Sequence, residues 1–256
     1  MTKDKKRIAI VTGASSGFGR IFAVELEKSI DLEEIWLVAR REDKLKETAS
    51  LLERVKGVVI KADISDMDEV RKLAMKADSE NVSVRVLVNN AGFGRSEEFV
   101  KGEDEYYEKM LDVNAKAPVI LTKSLIRYMD EGASILNISS SAAFAPMPFF
   151  AVYAATKAFL LSFSYALNYE LAEKHISVTC VCPGPASTEF FKTKLKKVNG
   201  LRIEDPEKIV AKALKDMKDK KSVSVYSWRM NFLRIISKFL PRNLLTRGAG
   251  KVKMPK

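Results

Sequence analysis

The sequence predicts a doubly wound α/β fold, in which one parallel sheet of seven strands carries helices on both faces. Seven short apolar runs alternate along the chain with six helical segments, and this alternation is typical of a parallel sheet with helical crossovers. A glycine-rich turn joins the first strand directly to the first helix. Polar residues follow the ends of several strands, at the sheet edge where such folds bind ligands.

The composition indicates one large domain followed by a short extension. The chain has 256 residues, 46% of them apolar, which is enough to bury a core. We expect a single domain over 5–227 and a basic amphipathic extension over 228–256. The formal net charge of +11 favours acidic ligands, anionic lipids or nucleic acid, and the sign of the charge alone identifies none of them. Because the lysines are spread over many helices and no recognition module is visible, we expect no nucleic-acid partner.

The amino-terminal residues and the two cysteines indicate the cellular compartment of the protein. The charged residues 1–7 lead directly into a strand, unlike a secretory signal, and no apolar stretch reaches membrane-spanning length. Cys180 and Cys182, the only cysteines, point the same way from a predicted strand, where a disulfide between them would be strained. We interpret them as reduced core residues and expect a cytoplasmic protein.

The first strand, predicted over 8–12, runs into a loop with the spacing Gly-x-x-x-Gly-x-Gly. Gly13, Gly17 and Gly19 would let the backbone approach a pyrophosphate, whose charge would face the N–H groups of the following helix. The commoner dinucleotide fingerprint is Gly-x-Gly-x-x-Gly, so the setting between strand and helix carries more weight than the spacing. A glycine turn without a ligand is the alternative.

The end of the second strand, predicted over 34–39, bears on which dinucleotide fits. An acidic residue there would bind the adenosine ribose of NAD, whereas arginine accommodates the 2′-phosphate of NADP. Arg40 and Arg41 stand at this place. A guanidinium matches phosphate bidentately, so Arg40 predicts NADP, with Arg41 and Ser15 as helpers. The alternative is a solvated charge pair that opens a helix predicted over 42–55.

The third and fourth strands deliver polar residues to the same edge. Asp63 follows the strand predicted over 57–62, where it would bind an adenine amino group. Its alternative role is to cap the helix that begins near Asp66. Asn90 lies in an Asn-Asn-Ala-Gly turn after the strand predicted over 84–88. That turn either forms a floor for the cofactor or only turns the chain.

A helical region predicted over 102–129 contains Asn114 and is interrupted by Pro118. Because proline removes a backbone hydrogen bond and frees a carbonyl group, we expect a kink or break near Asn114. The amide of Asn114 either satisfies that backbone or serves the site. The fifth strand, predicted over 133–138, then delivers Ser140 to the carboxyl edge of the sheet.

Tyr153 and Lys157 are four residues apart, which places both on one helix face. A positive charge within about 4–6 Å lowers the pKa of a phenol by about 1–3 units, which would make Tyr153 a proton donor near working pH. An isolated pair of this kind is more often an ordinary helix flank. The only histidine, His175, is expected to cap a helix, and no metal site is expected.

Together these motifs resemble the classical short-chain dehydrogenase/reductase family over almost all of residues 5–227. Ser140 lies thirteen residues before Tyr153, where that family places its catalytic serine. Each motif is weak alone, and their combination is specific. The motifs are, in order, Gly13-x-x-x-Gly17-x-Gly19, Asn89-Asn90-Ala91-Gly92, Asn114, Ser140, Tyr153-x-x-x-Lys157 and Pro183-Gly184.

The resemblance implies a role for each catalytic candidate. Ser140 would hydrogen-bond a substrate carbonyl, and Tyr153 would protonate the developing alkoxide as hydride arrives from nicotinamide. Lys157 would hold the nicotinamide ribose and lower the pKa of Tyr153, and Asn114 would position a water that relays protons to Lys157. The implied cofactor-binding residues are Gly13, Ser15, Gly17, Phe18, Gly19, Arg40, Asp63, Asn90, Tyr153, Lys157 and Thr188.

The implied activity is NADP(H)-dependent transfer of hydride to or from a lipophilic ketone or secondary alcohol, such as a 3-oxoacyl or steroid-like substrate. The loop over 188–205 would form a substrate lid opposite 142–150. Apolar side chains of these two segments either face a ligand or pack among themselves. A redox sensor that binds NADP(H) without turnover is the alternative function. The apolar side chains are Phe144, Met147, Phe149, Phe150, Phe190, Phe191 and Leu195.

The extension begins with a basic amphipathic helix predicted over 228–240 and stopped by Pro241. Such a helix can lie on a membrane surface, cover the substrate cleft or contact a partner subunit, and packing against protein is favoured. Residues after Arg247 are expected to be disordered. Because the Tyr153 helix often forms a subunit contact in the family, we also expect a homo-oligomer, either dimer or tetramer. One face of the predicted helix carries Trp228, Phe232, Ile235, Ile236 and Phe239.

Overall fold

A computed structural model describes residues 5–188, 197–198 and 201–250. Its strands are β1 (Lys6–Thr12), β2 (Glu34–Ala39), β3 (Lys56–Lys61), β4 (Val82–Asn89), β5 (Ser134–Ile138), β6 (Ser177–Val181), β7 (Lys197–Val198), β8 (Leu201–Arg202) and β9 (Val223–Ser224). Seven of them form one sheet in the order β3-β2-β1-β4-β5-β6-β9, and every neighbouring pair is parallel. β7 and β8 form a separate antiparallel pair.

The helices cover both faces of the sheet, which confirms the predicted doubly wound fold. α1, α2 and α7 supply apolar side chains to the core on one face, and α3, α5 and α6 supply those on the other. The helices within the described residues are α1 (Gly17–Ser29), α2 (Glu42–Ala49), α3 (Met67–Ser79), α4 (Asp104–Leu111), α5 (Ala117–Leu125), α6 (Ala151–Glu170), α7 (Pro206–Lys218), α8 (Trp228–Ile236) and α9 (Arg242–Gly250).

The central strand β1 shows why these strands are apolar nearly throughout. Successive side chains of a strand point to opposite faces, and both faces of this sheet are covered. Ile8 and Ile10 accordingly pack with α3 and α5, whereas Ala9 and Val11 pack with α1 and α7. All four side chains are fully buried. The core on each face thus positions the carboxyl edge of the sheet, where the polar residues lie.

The predicted break near Asn114 is confirmed. α4 ends at Leu111, a single π-helical segment spans Asp112–Lys116, and α5 begins at Ala117. Pro118 lies in the first turn of α5, directly after the π-helical segment, and it lacks the N–H group that would continue the α-helical hydrogen bonds through this point. The region predicted as one interrupted helix is therefore two helices joined by a wider turn.

Several predicted helix ends are wrong. α2 ends at Ala49 rather than near residue 55, and α8 ends at Ile236 rather than at 240. After Pro241 the chain forms a further helix, α9, which continues to Gly250. Disorder was expected after Arg247, but residues 248–250 are helical because α9 packs over the cleft, and residues beyond 250 lie outside the described ones. These ends depend on tertiary packing that local propensity does not contain.

Two smaller predictions are confirmed. His175 has a left-handed backbone, with φ of 53°, and its N–H donates to the carbonyl of Ala172, which closes a short 3₁₀ turn. Cys180 and Cys182 are free and fully buried, with their sulfur atoms 3.9 Å apart. Among the helices that the structure describes, none has both the length and the apolar character needed to cross a bilayer.

Candidate active site

A cavity of about 900 Å³ lies at the carboxyl edge of the sheet. Nearly all the predicted site residues line this cavity, although they come from seven separate segments of the chain. Gly19 and Asn114 are not in its wall and act from behind it. The predicted residues that line the cavity are Gly13, Ser15, Gly17, Phe18, Arg40, Asp63, Asn90, Ser140, Tyr153, Lys157 and Thr188.

The glycines of this loop allow both positive φ angles and close packing of the backbone. Gly13 and Gly17 have φ of 66° and 52°, a region that glycine enters without steric cost. A Cβ on Gly19 would lie 2.3 Å from the carbonyl oxygen of Gly13, so Gly19 allows α1 to start against the loop. Asn90 donates its amide to the carbonyl of Thr12 at 2.8 Å. Asn90 thus fastens the loop to β4, and its contact with a ribose stays a prediction.

The far end of the cavity is cationic. The guanidinium of Arg41 donates to the hydroxyls of Ser15 at 3.2 Å and Ser16 at 2.9 Å. The side chain of Arg40 is 65% exposed, and its Nη1 lies 3.9 Å from a carboxylate oxygen of Asp63. One guanidinium and two hydroxyls therefore meet where α1 begins, and the second guanidinium lines the same cavity beside Asp63. The helper role predicted for Arg41 and Ser15 agrees with this geometry, and Ser16 was not predicted.

Asp63 is held in place by its neighbours. Its Oδ1 accepts from the hydroxyl of Ser65 at 2.7 Å and from the Ser65 N–H at 3.0 Å. Burial raises its pKa, but these hydrogen bonds and the charge of Lys109 outweigh burial and hold the pKa below its usual value. The alternative role as a helix cap is wrong, because Asp66 caps α3 through the Asp68 N–H at 2.8 Å.

Lys157 and Tyr153 face the other end of the cavity from one side of α6. The ammonium of Lys157 donates to the carbonyl of Ile138 at 2.8 Å, and the hydroxyl of Ser139 donates to the carbonyl of Lys157 at 2.7 Å. The Nζ atom lies 5.6 Å from the centre of the Tyr153 ring. Ser140, at the end of β5, hydrogen-bonds Tyr153. Strand and helix thus bring hydroxyl, phenol and ammonium together as predicted.

Burial sets the protonation states of this pair. It raises the pKa of Tyr153 to about 12, against the hydrogen bond from Ser140. It lowers the pKa of Lys157 to about 8, against the nearby thiols of Cys180 and Cys182. The expected lowering of the Tyr153 pKa by Lys157 is therefore wrong for the chain by itself. The ammonium points to the carbonyl of Ile138, and desolvation of the phenol is the larger effect.

Asn114 is fully buried behind Tyr153 and Lys157. Its amide donates to the carbonyl of Phe93 at 2.8 Å, and its carbonyl accepts from the Phe93 N–H at 3.0 Å. Asn114 therefore fixes the segment after β4 across the π-helical turn. A Cβ on Gly92 would lie 3.1 Å from both the Asn114 Oδ1 and the Lys157 Nζ. The two groups thus border the same small space, and the predicted water relay stays a prediction.

Gly94 and helix α9 were missed by sequence reasoning. Gly94 lies directly against the Tyr153 ring, because a Cβ there would be 2.5 Å from the Cδ2 atom of Tyr153. A helix over 228–240 that covers the cleft was one of the alternatives, and α9 extends it. We call α8 and α9 together, residues 228–250, the C-terminal cover. Its inward side chains line the cavity opposite the sheet edge. These are Met230, Leu233, Leu240, Leu244 and Leu245.

The face of α8 that meets the protein is not the apolar stripe read from the sequence. Met230 is buried, whereas Trp228, Phe232 and Ile235 of that stripe are exposed. Among the predicted pocket residues, Met147 and Phe150 line the cavity. Phe144 instead packs against the two cysteines, and Phe149 is 52% exposed. Phe190, Phe191 and Leu195 lie outside the described residues.

The family follows from sequence comparison. Residues 7–199 match the family described as short chain dehydrogenase. The chain belongs to the short-chain dehydrogenase family. It is 36% identical over 197 residues to Nodulation protein G of Rhizobium sp. (strain N33), covering 75% of this chain and 79% of that protein. The protein is therefore an oxidoreductase that acts on alcohol or carbonyl groups.

Solved structures agree with this assignment. The fold resembles a short-chain dehydrogenase from Sphingobium yanoikuyae in complex with NADPH, with a TM-score of 0.79, 26% identity and coverage of 91% and 94% of the two chains. It also resembles 3-ketoacyl-(acyl-carrier-protein) reductase from Brucella melitensis complexed with NADH, with a TM-score of 0.74, 27% identity and coverage of 86% and 95%. The family uses nicotinamide cofactors, and these neighbours carry both kinds.

The residues present fit a nicotinamide dinucleotide. The loop opens at the positive end of α1, cationic and hydroxyl donors lie at one end of the cavity, and an ammonium lies at the other. When bound, the nicotinamide supplies or accepts the hydride. Ser140 and Tyr153 place two hydroxyl groups side by side in the cavity wall. Within the described residues, no group of three or more His, Cys, Asp or Glu side chains is placed to hold a metal ion.

Proposed function

We propose that the chain is an NADPH-dependent carbonyl reductase, and alcohol dehydrogenase in reverse, acting on a lipophilic ketone or secondary alcohol. The observation that carries the proposal is the continuity of one cavity. It joins Arg40 and Arg41 at one end to Tyr153 at the other, and the leucines of the C-terminal cover lie beyond. A dinucleotide and an apolar substrate would share this space, meeting beside the phenol.

The arginine end supports the NADPH preference. No carboxylate follows β2 at positions 40 and 41, where it would repel a 2′-phosphate. Asp63 approaches Arg40 only at 3.9 Å, so a phosphate would compete with this carboxylate for the guanidinium. The hydrogen bonds from Arg41 to Ser15 and Ser16 hold one guanidinium in place, which lowers the entropy cost of binding an anion. Because the structural neighbours carry either NADPH or NADH, they do not favour one cofactor. The proposed preference for NADPH therefore rests on Arg40 and Arg41.

The phenol end supports reduction of a carbonyl group. A pKa of about 12 keeps Tyr153 protonated near neutral pH, which is the form that a proton donor needs. Its proton would pass to the carbonyl oxygen as hydride reaches the carbon, and the hydroxyl of Ser140 would stabilise the developing charge. The apolar wall opposite favours a 3-oxoacyl chain or a steroid-like ketone.

Cofactor titration tests the arginine end. We expect NADPH to bind at least tenfold more tightly than NADH, about 1.4 kcal/mol. Arg40→Ala and Arg41→Ala should each remove much of that difference while leaving NADH affinity unchanged. Lys46→Ala is the matched control, since Lys46 is exposed on α2 and pairs with Glu42. A preference for NADH, or an equal effect of the control, would contradict the NADP assignment.

A carbonyl panel tests the substrate class. Purified enzyme with NADPH would be offered ketones of increasing apolar size, with Tyr153→Phe as the blank. Rates should rise with apolar size until the cavity is filled. If NADPH binds but no carbonyl is reduced faster than by the blank, the sensor function replaces the enzyme function.

We also propose that α6 forms a subunit contact. Its outer side exposes Phe159, Tyr165 and Tyr169 by 45%, 42% and 85%, and the rings of Phe159 and Phe163 stack 6.0 Å apart. Such large exposed side chains on a single helix favour burial against another copy. Light scattering should show a dimer or tetramer, and a monomer at micromolar concentration would contradict this contact.

A further inference from the structure

The outer face of the C-terminal cover carries four large apolar side chains. We define this outer face as Trp228, Phe232, Ile235 and Phe239, which are exposed by 74%, 59%, 47% and 80%. All four recur at intervals that follow one side of a helix. Large apolar side chains exposed along one side of a short segment are typical of an interaction site.

The charge around this outer face has one sign. Residues 228–256 contain eight lysines and arginines and no aspartate or glutamate. Arg229, Lys238, Arg242 and Arg247 are exposed, and the guanidinium of Arg229 lies 5.5 Å from the centre of the Trp228 ring. Arg234 differs, since it bonds Asn231 at 3.1 Å and Tyr165 at 3.4 Å and so ties α8 to α6. Cations of the same segment therefore border the apolar face, and among the described residues Arg229, Lys238, Arg242 and Arg247 form no ion pair with a carboxylate.

We propose that the outer face of the C-terminal cover docks on the surface of an anionic lipid bilayer. Tryptophan and phenylalanine side chains enter the boundary between headgroups and acyl chains, and surrounding lysines and arginines bind anionic headgroups. A second copy of this chain fits less well. A two-fold contact would place the same residues of both copies together, and this segment has no acidic residue to separate its cations.

Docking would also orient the cavity. Met230 and Leu233 line the cavity from α8, while Phe232 and Ile235 of the same helix face outward. One helix thus has lipid on one side and the substrate space on the other, so that an apolar substrate would reach the cavity from the bilayer. This last step rests on the proposed substrate class, whereas the docking itself does not.

Vesicle binding by the full-length protein tests the docking without any turnover. Vesicles of phosphatidylcholine, with and without phosphatidylglycerol, would be separated by flotation. The chain has two tryptophans, and Trp36 is fully buried, so a change in emission reports Trp228. We expect binding, a blue shift and quenching by brominated acyl chains only with the anionic vesicles. The emission change should be absent in Trp228→Phe.

Charge reversal separates the local surface from the overall charge of the protein. Arg229→Glu/Lys238→Glu/Arg242→Glu should lower partitioning about 100-fold, since each cation near an anionic surface contributes about 1 kcal/mol. Lys174→Glu/Lys215→Glu/Lys218→Glu changes the net charge equally at exposed sites elsewhere and should have a much smaller effect. NADPH binding and circular dichroism check that both variants fold.

A second test variant and its control probe the apolar side chains of the outer face. Phe232→Ser/Phe239→Ser should reduce vesicle binding at least tenfold. Met75→Ser/Val100→Ser is the control, because these side chains are exposed by 69% and 86% on other parts of the surface. Absent binding of the wild type, or equal losses in test and control variants, would overturn the proposal. Loss of self-association by the Phe232/Phe239 variant, without vesicle binding by the wild type, would assign the face to a second copy.

Discussion

The two walls of the cavity are built in opposite ways. At the sheet edge, Asn114 and Lys157 are almost completely buried, and each is held by hydrogen bonds to backbone groups. The C-terminal cover instead meets the cavity through flexible aliphatic side chains such as Leu233 and Leu240, and much of its surface faces outward. Chemistry requires atoms placed within a fraction of an ångström, whereas selection by size needs only an apolar surface of suitable shape.

Burial has a different consequence on each wall. A buried polar group costs free energy unless it is hydrogen-bonded. Lys157 in the sheet-edge wall and Asn114 behind it are therefore both fixed by hydrogen-bond partners. Burial also moves the pKa values of Tyr153 and Lys157 in opposite directions. The cover contains no such buried ionisable group among its cavity-lining residues, so its contribution to activity should depend little on pH.

The largest expected effect lies on the sheet-edge wall. Tyr153→Phe removes the proton donor and keeps the ring, so kcat for carbonyl reduction should fall about 1,000-fold, within the usual range for general acid catalysis. NADPH affinity should change little. Steady-state kinetics with parallel cofactor titration measure both quantities. A variant that retains more than a tenth of the wild-type kcat would show that another group donates the proton.

The pH dependence sharpens the same contrast. Burial lowers the pKa of Lys157 to about 8, so its ammonium is charged below that pH and neutral above it. The value of kcat/KM for NADPH, which reports the free enzyme, should therefore fall about tenfold for each pH unit above 8. Tyr153 stays protonated throughout this range. A flat profile up to pH 10 would show that the charge of Lys157 is not needed for cofactor capture.

The smallest effect is expected on the cover. Leu233→Ala/Leu240→Ala should raise KM about tenfold for a long apolar ketone and leave KM for a small ketone nearly unchanged, because only the larger substrate reaches these side chains. Phe239→Ala is the control, since Phe239 is 80% exposed on the outer face. A loss of kcat for both ketones would instead place the cover in the catalytic step, and the contrast between the two walls would fail.

Much of the fold and of the sheet-edge wall is predictable because the signals are local. Strand and helix alternation, the glycine spacing before α1, and the four-residue interval between Tyr153 and Lys157 are all contained in short stretches. The break near Asn114 follows from Pro118, whose ring restricts its own backbone. These features require no knowledge of what packs against them.

The sequence by itself therefore determined the topology, the family resemblance and the candidate catalytic residues. Only the tertiary structure decided the direction of the Tyr153 pKa shift, the contact of Gly94 with the phenol ring, and the hydrogen bonds of Arg41 to Ser15 and Ser16. It also decided which side of α8 faces the cavity, since apolar side chains lie on more than one side of that helix. Each of these depends on desolvation or contact between segments distant in the chain, and no local pattern records such contacts.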